Sequence, residues 1–167
     1  LIIQVSQELN VRPLLGIRVK LTNKVSGNWS QSSGDRSAFG MSVEQVMKVI
    51  TKLKVNNYLD CLVLQHSHLG SQIPDIIEIR KATQEACRFY SEMCKQGAPL
   101  EYLDLGGGLG VDYTGEQKSS LNSINYSLDE YCINIVETVK YELDQSNVDH
   151  TIIVTESGRA CIASSSM

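Results

Sequence analysis

Three consecutive glycines, Gly106, Gly107 and Gly108, end a short apolar segment that contains one carboxylate, Asp104. Because glycine has no Cβ, the backbone at these positions can adopt positive φ angles and approach a ligand closely. Successive N–H groups in such a turn can converge on an anion, typically a phosphate. The segment therefore predicts an anion-binding turn at the carboxyl end of a strand. A tight turn with no ligand is the alternative interpretation of the glycines taken alone.

Two other polar segments follow β-like runs in the same way. One covers residues 66–72 and contains His66 and His68; the other covers residues 155–159 and contains Glu156. In a parallel sheet, the carboxyl ends of the strands meet at the same edge. The three segments are therefore expected to lie close together and to build one site.

Hydrophobic periodicity predicts strands and helices that alternate along the chain. Strands are predicted over residues 14–21, 59–65, 100–105 and 151–155, and helices over 42–56, 74–96 and 127–145. Residues 1–10 are expected to be the end of a helix or a connector. Ser42 with Gln45, and Ser127 with Glu130, have the spacing of capping boxes at helix starts. The long polar segments 23–40 and 111–126 are expected to be loops, and loops of that length are usually functional or disordered.

The order β-α-β-α-β-α-β predicts an α/β fold with a parallel sheet. Two arrangements fit this order, an open doubly wound sheet and part of a (β/α)8 barrel. Ligand-like segments at the ends of three consecutive strands favour the barrel, whose sites are built at that face. Four strands are half of such a barrel. We therefore expect residues 1–167 to be a partial barrel domain, a fragment whose remaining strands lie elsewhere.

Composition excludes several classes of function. The 167 residues carry a net charge of −4 and include no basic run, which disfavours nucleic-acid binding. No apolar run approaches the roughly 20 residues of a membrane-spanning helix. The five cysteines are scattered and form no C-x-x-C pair. This pattern is typical of reduced thiols in an intracellular protein, and a cytoplasmic location is expected.

Each polar segment also has alternative interpretations. A dinucleotide fingerprint, G-x-G-x-x-G, would need glycine at position 111, which is Val111, and an immediate helix. The pair His66 and His68 could begin a metal site, but such sites need three or four ligands. The remaining histidine, His150, lies in a polar turn, so no metal is predicted. A buried structural histidine and, for Glu156, an ion pair within its loop or a capping role stay open.

Several segments together carry a resemblance to a known family. They are residues 16–21, 26–29, 66–72, 104–113 and 156–159. With them the chain resembles, over nearly its whole length, the fold-type III pyridoxal-phosphate decarboxylases of the alanine racemase/ornithine decarboxylase barrel superfamily. The sequence Glu-Ser-Gly-Arg at 156–159 is similar to that of the arginine-specific branch. Ornithine and diaminopimelate decarboxylases usually have proline at the position of Ser157.

The resemblance implies a role for each matching residue. His68 and Glu156 are implied as catalytic, with His68 against the pyridine ring of the cofactor and Glu156 bonded to the pyridine nitrogen. Ser71, the N–H groups near the glycines, Gly158 and Arg159 are implied to hold the phosphate, and Arg18 to lie near the Glu156 contact. The full set implied to bind pyridoxal 5′-phosphate is Arg18, His68, Ser71, Gly106, Gly107, Gly108, Glu156, Ser157, Gly158 and Arg159.

The function implied is decarboxylation of L-arginine to agmatine and CO2, in polyamine biosynthesis. A homo-oligomer and a Mg2+ requirement are also implied by the resemblance alone. The alternatives are another decarboxylase of this fold, of the ornithine, diaminopimelate or carboxynorspermidine type, or a non-catalytic regulatory paralogue. The sequence departs from the family at Ala38, where many relatives have lysine, and at Ser67, where phenylalanine is commoner. The lysine to which the family attaches the cofactor is expected upstream of residue 1.

Overall fold

The structure, a computed structural model, describes residues 1–22 and 38–163. Within these ranges the chain forms four strands and five α-helices. They are α1 (Ile2–Glu8), β1 (Leu15–Val19), α2 (Val43–Val55), β2 (Leu62–Gly70), α3 (Ile76–Lys95), β3 (Tyr102–Gly107), α4 (Leu128–Ser146), β4 (Ile152–Glu156) and α5 (Gly158–Ile162). A 3-10 turn, Leu59–Cys61, leads into β2.

The strands pair in the order β1-β2-β3-β4, and every pair is parallel. Each strand therefore lies beside the next strand in the sequence, with a helix in each of the three connections. A doubly wound sheet reverses its strand order at a switch point, and the described strands show no such reversal. The order is that of consecutive βα units in an α/β barrel, and the predicted fold class is confirmed.

Alternate residues of each strand point to opposite faces of the sheet. One face packs against the helices, and its central residues are at most 3% exposed: Ile17, Val19, Gln65, Ser67, Leu103 and Leu105. The opposite face, here called the inner face, carries two rows of residues in register. One row is Arg18, His66, Asp104 and Val154, and the next row contains His68, Gly106 and Glu156. The charged side chains of the strands are thus concentrated on the inner face.

Helices α2 and α4 begin where local sequence signals predict. Both capping boxes form, because Ser42 accepts a bond from the N–H of Gln45 and Ser127 accepts one from Glu130. Helix α3 begins later than predicted, because the side chain of Asp75 accepts a hydrogen bond from the N–H of Ile77 and caps the helix. The proline before Asp75 therefore precedes the helix and is not in its first turn.

Other predicted details differ from the structure. Strand β2 continues to Gly70 and does not end at Gln65, because His66 and Ser67 pair with both neighbouring strands and His68 and Gly70 pair with β3. Helix α5 was not predicted from the sequence. Four residues that contribute to the hydrophobic periodicity of the predicted helices are exposed: Val43 and Met47 on α2, Leu128 and Cys132 on α4.

The predicted loop over residues 23–40 lies mostly outside the described residues, and so does the segment 26–29. Its described end returns to β1, where the N–H of Met41 donates to the carbonyl of Arg18 at 2.8 Å and the carbonyl of Met41 accepts from the N–H of Lys20 at 2.9 Å. The loop after β3 is anchored by Tyr126, whose hydroxyl donates to the carbonyl of Ile73 at 2.7 Å. None of the described helices is long and apolar enough to cross a membrane.

Candidate functional site

A cavity of about 180 Å3 opens at the carboxyl ends of β2, β3 and β4. The three polar segments singled out in the sequence supply most of its walls. Seven of the predicted cofactor-binding residues line it: His68, Ser71, Gly107, Gly108, Glu156, Ser157 and Arg159. Larger surface hollows of about 450 to 570 Å3 lie beside the helices, away from these strand ends. The polar groups that line this cavity, and not its volume, therefore identify it as the candidate site.

The glycine turn forms one wall of the cavity. Gly107 and Gly108 have φ angles of +68° and +96°, in the region that favours glycine. A Cβ on Gly107 would lie 2.3 Å from the carbonyl oxygen of Gly70, so no larger residue fits there. The turns that follow β2 and β3 consequently approach each other closely. This leaves a hollow lined by backbone atoms at the carboxyl ends of β2 and β3, here called the glycine cradle and formed by Gly107 and Gly108.

The turn after β2 is tied to the loop after β3 by Gln72. Its side-chain amide donates to the carbonyl of Val111 at 2.7 Å and accepts from the N–H of Val111 at 2.9 Å. Gln72 itself has a φ angle of +53°, which is unusual for a residue with a side chain. Backbone strain of this kind concentrates at functional sites. The contact fixes the adjacent Ser71 beside the cradle.

Arg159 brings a positive charge to the same place from α5. Its Nη2 donates to Ser71 Oγ at 3.1 Å, and its Nη1 donates to the hydroxyl of Tyr113 at 3.5 Å. Among the described residues, no carboxylate lies within ion-pair range of Arg159. An ion pair between Arg159 and Glu156, one alternative left open by the sequence, is therefore not formed there. The guanidinium, Ser71 and the cradle together present donors to an anion.

Glu156 lies at the other end of the cavity, at the last position of β4. Its Oε2 is 3.7 Å from Nε2 of His66, and the two groups meet across Gly106. The ligand atoms of His66, His68 and Glu156 all lie within 4.8 Å of one another, close enough for a metal ion to be considered. The sequence argument against a metal counted histidines only and did not anticipate Glu156 as a third neighbour.

Burial at this end of the cavity shifts the pKa values of His68 and Asp104 in opposite directions. Burial, the largest cause, together with the positive charges of Arg18 and His66 lowers the pKa of His68 below its ordinary value, although Glu156 acts in the opposite direction. His68 is therefore neutral at pH 7. Burial also raises the pKa of Asp104, on the same face. A neutral imidazole can lie flat against an aromatic ring without charge repulsion.

Three predicted site residues do not line the cavity. Gly158 opens α5 beside it, and Gly106 lies within β3. Arg18 is in register with His66, and its guanidinium lies 5.4 Å from the centre of the Phe39 ring. Sequence reasoning did not single out Tyr113 or the double contact of Gln72. Both residues lie within the segments it quoted, but their contacts depend on which loops meet in space.

The polar groups of the cavity thus fall into two sets. One set, the glycine cradle with Ser71 and Arg159, fits a phosphate. The other set, Glu156 with a neutral His68, fits an aromatic ring that carries a protonated nitrogen. A phosphorylated pyridine such as pyridoxal phosphate has both parts, and the residues present fit it.

Comparison with known proteins agrees with this geometry. Residues 2–163 match the profile of the pyridoxal-binding domain of pyridoxal-dependent decarboxylases. A protein of Prochlorococcus marinus strain MIT 9312 named biosynthetic arginine decarboxylase is 49% identical over 97% of this chain and 25% of its own length. A protein of the same name from Trichlorobacter lovleyi is 46% identical over 92% of this chain and 24% of its own. The chain spans about a quarter of these relatives.

Solved structures have the same fold. The crystal structure of the biosynthetic arginine decarboxylase of Campylobacter jejuni matches with a TM-score of 0.79 at 33% identity, over 95% of this chain and 25% of that one. Diaminopimelate decarboxylase from Helicobacter pylori, complexed with L-lysine, matches with a TM-score of 0.69 at 21% identity, over 94% of this chain and 36% of that one. The second likeness shows the shared fold alone.

Proposed function

Because this chain belongs to the pyridoxal-dependent decarboxylases, we propose that it forms the cofactor-binding part of an enzyme that converts L-arginine to agmatine and CO2. The observation that carries the proposal is the cavity at the ends of β2, β3 and β4. It combines a glycine cradle, a serine, an arginine free of carboxylate partners among the described residues, and a carboxylate beside a neutral histidine. The chain is then a segment of a longer protein.

The phosphate is held by the cradle of Gly107 and Gly108, by Ser71 Oγ and by the guanidinium of Arg159. A guanidinium on a phosphate makes charge-assisted hydrogen bonds, which are stronger than neutral ones. Arg159 is held in place by its contacts to Ser71 and Tyr113. These residues bind and orient the cofactor and take no part in breaking bonds.

Glu156 and His68 are proposed to control the protonation and the orientation of the cofactor's pyridine ring. Bound pyridoxal phosphate supplies an electron sink for the electron pair that remains on Cα when CO2 leaves. The Glu156 carboxylate keeps a proton on the pyridine nitrogen, because an adjacent negative charge raises the pKa of that nitrogen. His68, with its lowered pKa, would lie against the ring face, where it would fix the ring plane and exclude water. Arg18, one row below, is proposed to lie near the Glu156 contact.

Arginine is the proposed substrate because the named relatives at 46–49% identity are arginine decarboxylases. The sequence Glu-Ser-Gly-Arg at 156–159 supports the same branch. Another decarboxylase of this fold and a non-catalytic paralogue are the alternatives. An intact phosphate cradle with an available arginine disfavours the paralogue, which would have no need of either. A cytoplasmic homo-oligomer and a Mg2+ requirement are further proposals that rest on the resemblance.

The test uses the purified full-length protein that contains this chain, supplied with pyridoxal phosphate. Arginine, ornithine, diaminopimelate and lysine are each incubated with it, and CO2 and the amine product are measured. Agmatine should form from arginine with a kcat/KM at least about 100-fold above that for the other amino acids. Faster CO2 release from ornithine or diaminopimelate would contradict the substrate. Absence of cofactor binding, seen as no visible absorbance band after pyridoxal phosphate is added, would support the paralogue.

A further inference from the structure

Two side chains from non-adjacent strands meet on the inner face. His66 of β2 is in register with Asp104 of β3, and Glu156 of β4 is in register with Gly106. His66 is therefore one row lower than Glu156 and two strands away. Its Nε2 nevertheless lies 3.7 Å from Oε2 of Glu156. The imidazole reaches up and across β3 toward the carboxylate.

Gly106 makes this contact possible. A Cβ at position 106 would lie 2.5 Å from Nε2 of His66 and 2.8 Å from Oε2 of Glu156, both closer than real contacts allow. The φ angle of Gly106 is not in the positive region, so the backbone itself does not require glycine. Glycine is required because a Cβ at this position would occupy the space that the His66 and Glu156 side chains share above β3.

His66 has a hydrogen-bonding atom that the proposed function leaves unused. Its Nε2 is buried and has no hydrogen-bond partner among the described residues. A buried donor without a partner is unfavourable, and such an atom is normally satisfied. On the inner face, the ionisable groups around it are Arg18 and Asp104 in its own row and His68 and Glu156 in the next. Of the two carboxylates, Glu156 is the one within ion-pair distance.

We infer that His66 is a positioning residue, which donates a hydrogen bond from Nε2 to Oε2 of Glu156 and aims the carboxylate at the pyridine nitrogen. The inference rests on the proposed function, because it acts through the role of Glu156 there. The Glu156 side chain is 56% exposed and the His66 side chain only 17%, so the histidine is the fixed partner and the carboxylate the mobile one. A small rotation of Glu156 closes the gap, and catalytic hydrogen bonds commonly tighten when the ligand binds.

The arrangement divides the two carboxylate oxygens between two partners. Oε2 faces His66, which leaves Oε1 for the ring nitrogen. A carboxylate held by one fixed bond has fewer orientations to lose when it engages the cofactor. Supporting contacts of this kind orient the groups that touch a ligand, and their loss typically reduces activity about 10- to 100-fold.

The test is a double-mutant cycle in the full-length holoenzyme, saturated with pyridoxal phosphate. His66→Phe removes the donor, His66→Gln keeps an N–H at a similar reach, and each is combined with Glu156→Gln. His150→Gln, an exposed histidine paired with Asp144 at the opposite end of β4, is the matched control. We expect His66→Phe to lower kcat about tenfold or more with little change in KM, and to move the NMR shift of the 15N-labelled ring nitrogen of bound pyridoxal phosphate toward the unprotonated value. His66→Gln should recover much of both. In the Glu156→Gln background His66→Phe should have no further effect, because neighbours that act as a unit are not additive.

The outcomes test the positioning role of His66 and the proposed role of Glu156 separately. An unchanged kcat in His66→Phe, or the same loss with and without Glu156→Gln, overturns the positioning role and leaves the proposed function standing. Full kcat in Glu156→Gln itself overturns the role of Glu156 in the proposed function, and the positioning role with it. If His66→Phe does not fold, His66→Asn carries the same test, because its shorter amide cannot reach Glu156.

Discussion

Substituting Gly106 by alanine should inactivate the full-length enzyme without unfolding it. The new Cβ would lie 2.5 Å from His66 Nε2 and 2.8 Å from Glu156 Oε2, whereas ordinary contacts begin near 3.4 Å. The two groups must therefore withdraw by roughly 0.6 to 0.9 Å. A misplacement of about 1 Å at a reacting centre costs on the order of 10²-fold in rate. We expect kcat to fall by about that factor.

Stability should change much less. The φ angle of Gly106 is one that alanine accepts, and replacing glycine in a strand favours folding by roughly 0.5–1 kcal/mol. The crowded atoms are the ends of side chains. The flexible, exposed Glu156 can move aside, and the more buried His66 imidazole has to withdraw by less than about 1 Å. Thermal melting should consequently stay close to that of the wild type, while kcat, measured by agmatine release at saturating cofactor, is reduced.

Gly16→Ala and Gly107→Ala are the control variants for this prediction. Gly16 is also a strand glycine on the inner face, and its added Cβ would meet only the Leu64 side chain, at 3.0 Å, so kcat should be unchanged. Gly107→Ala should instead lose stability, by about 1–2 kcal/mol for the positive φ alone and more for the contact with Gly70. A folded Gly106→Ala enzyme with wild-type kcat would refute the use of this space by His66 and Glu156.

Three further predictions concern the surrounding contacts. Arg159→Ala should raise the dissociation constant for pyridoxal phosphate by about 10- to 150-fold, the value of one hydrogen bond to a charged group, and unchanged affinity in a titration of the apoenzyme would contradict the phosphate assignment. Tyr126→Phe should lower the free energy of unfolding by about 1–3 kcal/mol in denaturant melts, because its hydroxyl joins the N–H of Gly110 to the carbonyl of Ile73 in the interior. Since the pKa of His68 is lowered on folding, the unfolded chain binds its proton more tightly, and stability should fall as the pH drops through the ordinary histidine range near 6.5 and below. His68→Gln should lose less stability than the wild type between pH 7.5 and pH 5, and an equal loss would contradict the burial of that ring.

Sequence patterns predicted the helices well, because their signals are local. The capping boxes at Ser42 and Ser127 and the spacing of apolar residues each lie within a few turns of the chain. The end of β2 was misplaced for the opposite reason. Residues 66–68 look like a turn in isolation, but His66 and Ser67 pair with strands on both sides and His68 pairs with β3. Ser67 is fully buried, and the neighbouring Gln65 donates from Nε2 to the carbonyl of Ala86 at 2.9 Å, a contact that only the folded protein creates.

The candidate site was predictable in its membership and not in its internal contacts. Resemblance placed His68, Ser71, Glu156 and Arg159 at strand ends, and the structure brings these four residues to one cavity. The approach of His66 to Glu156 depends on the registers of three strands. No spacing within a single segment encodes those registers, so the pair could not be found before the sheet was built.

The protonation state of the cofactor ring gives the most direct test of the site. Pyridoxal phosphate labelled with 15N in the ring is bound to the full-length protein, and its nitrogen chemical shift is recorded by NMR. The wild type should show a protonated pyridine nitrogen at pH 7 to 8, and Glu156→Gln an unprotonated one with the cofactor still bound. The same variant should lose on the order of 10²-fold or more in kcat. An identical nitrogen shift in the two proteins would show that Glu156 does not hold that proton.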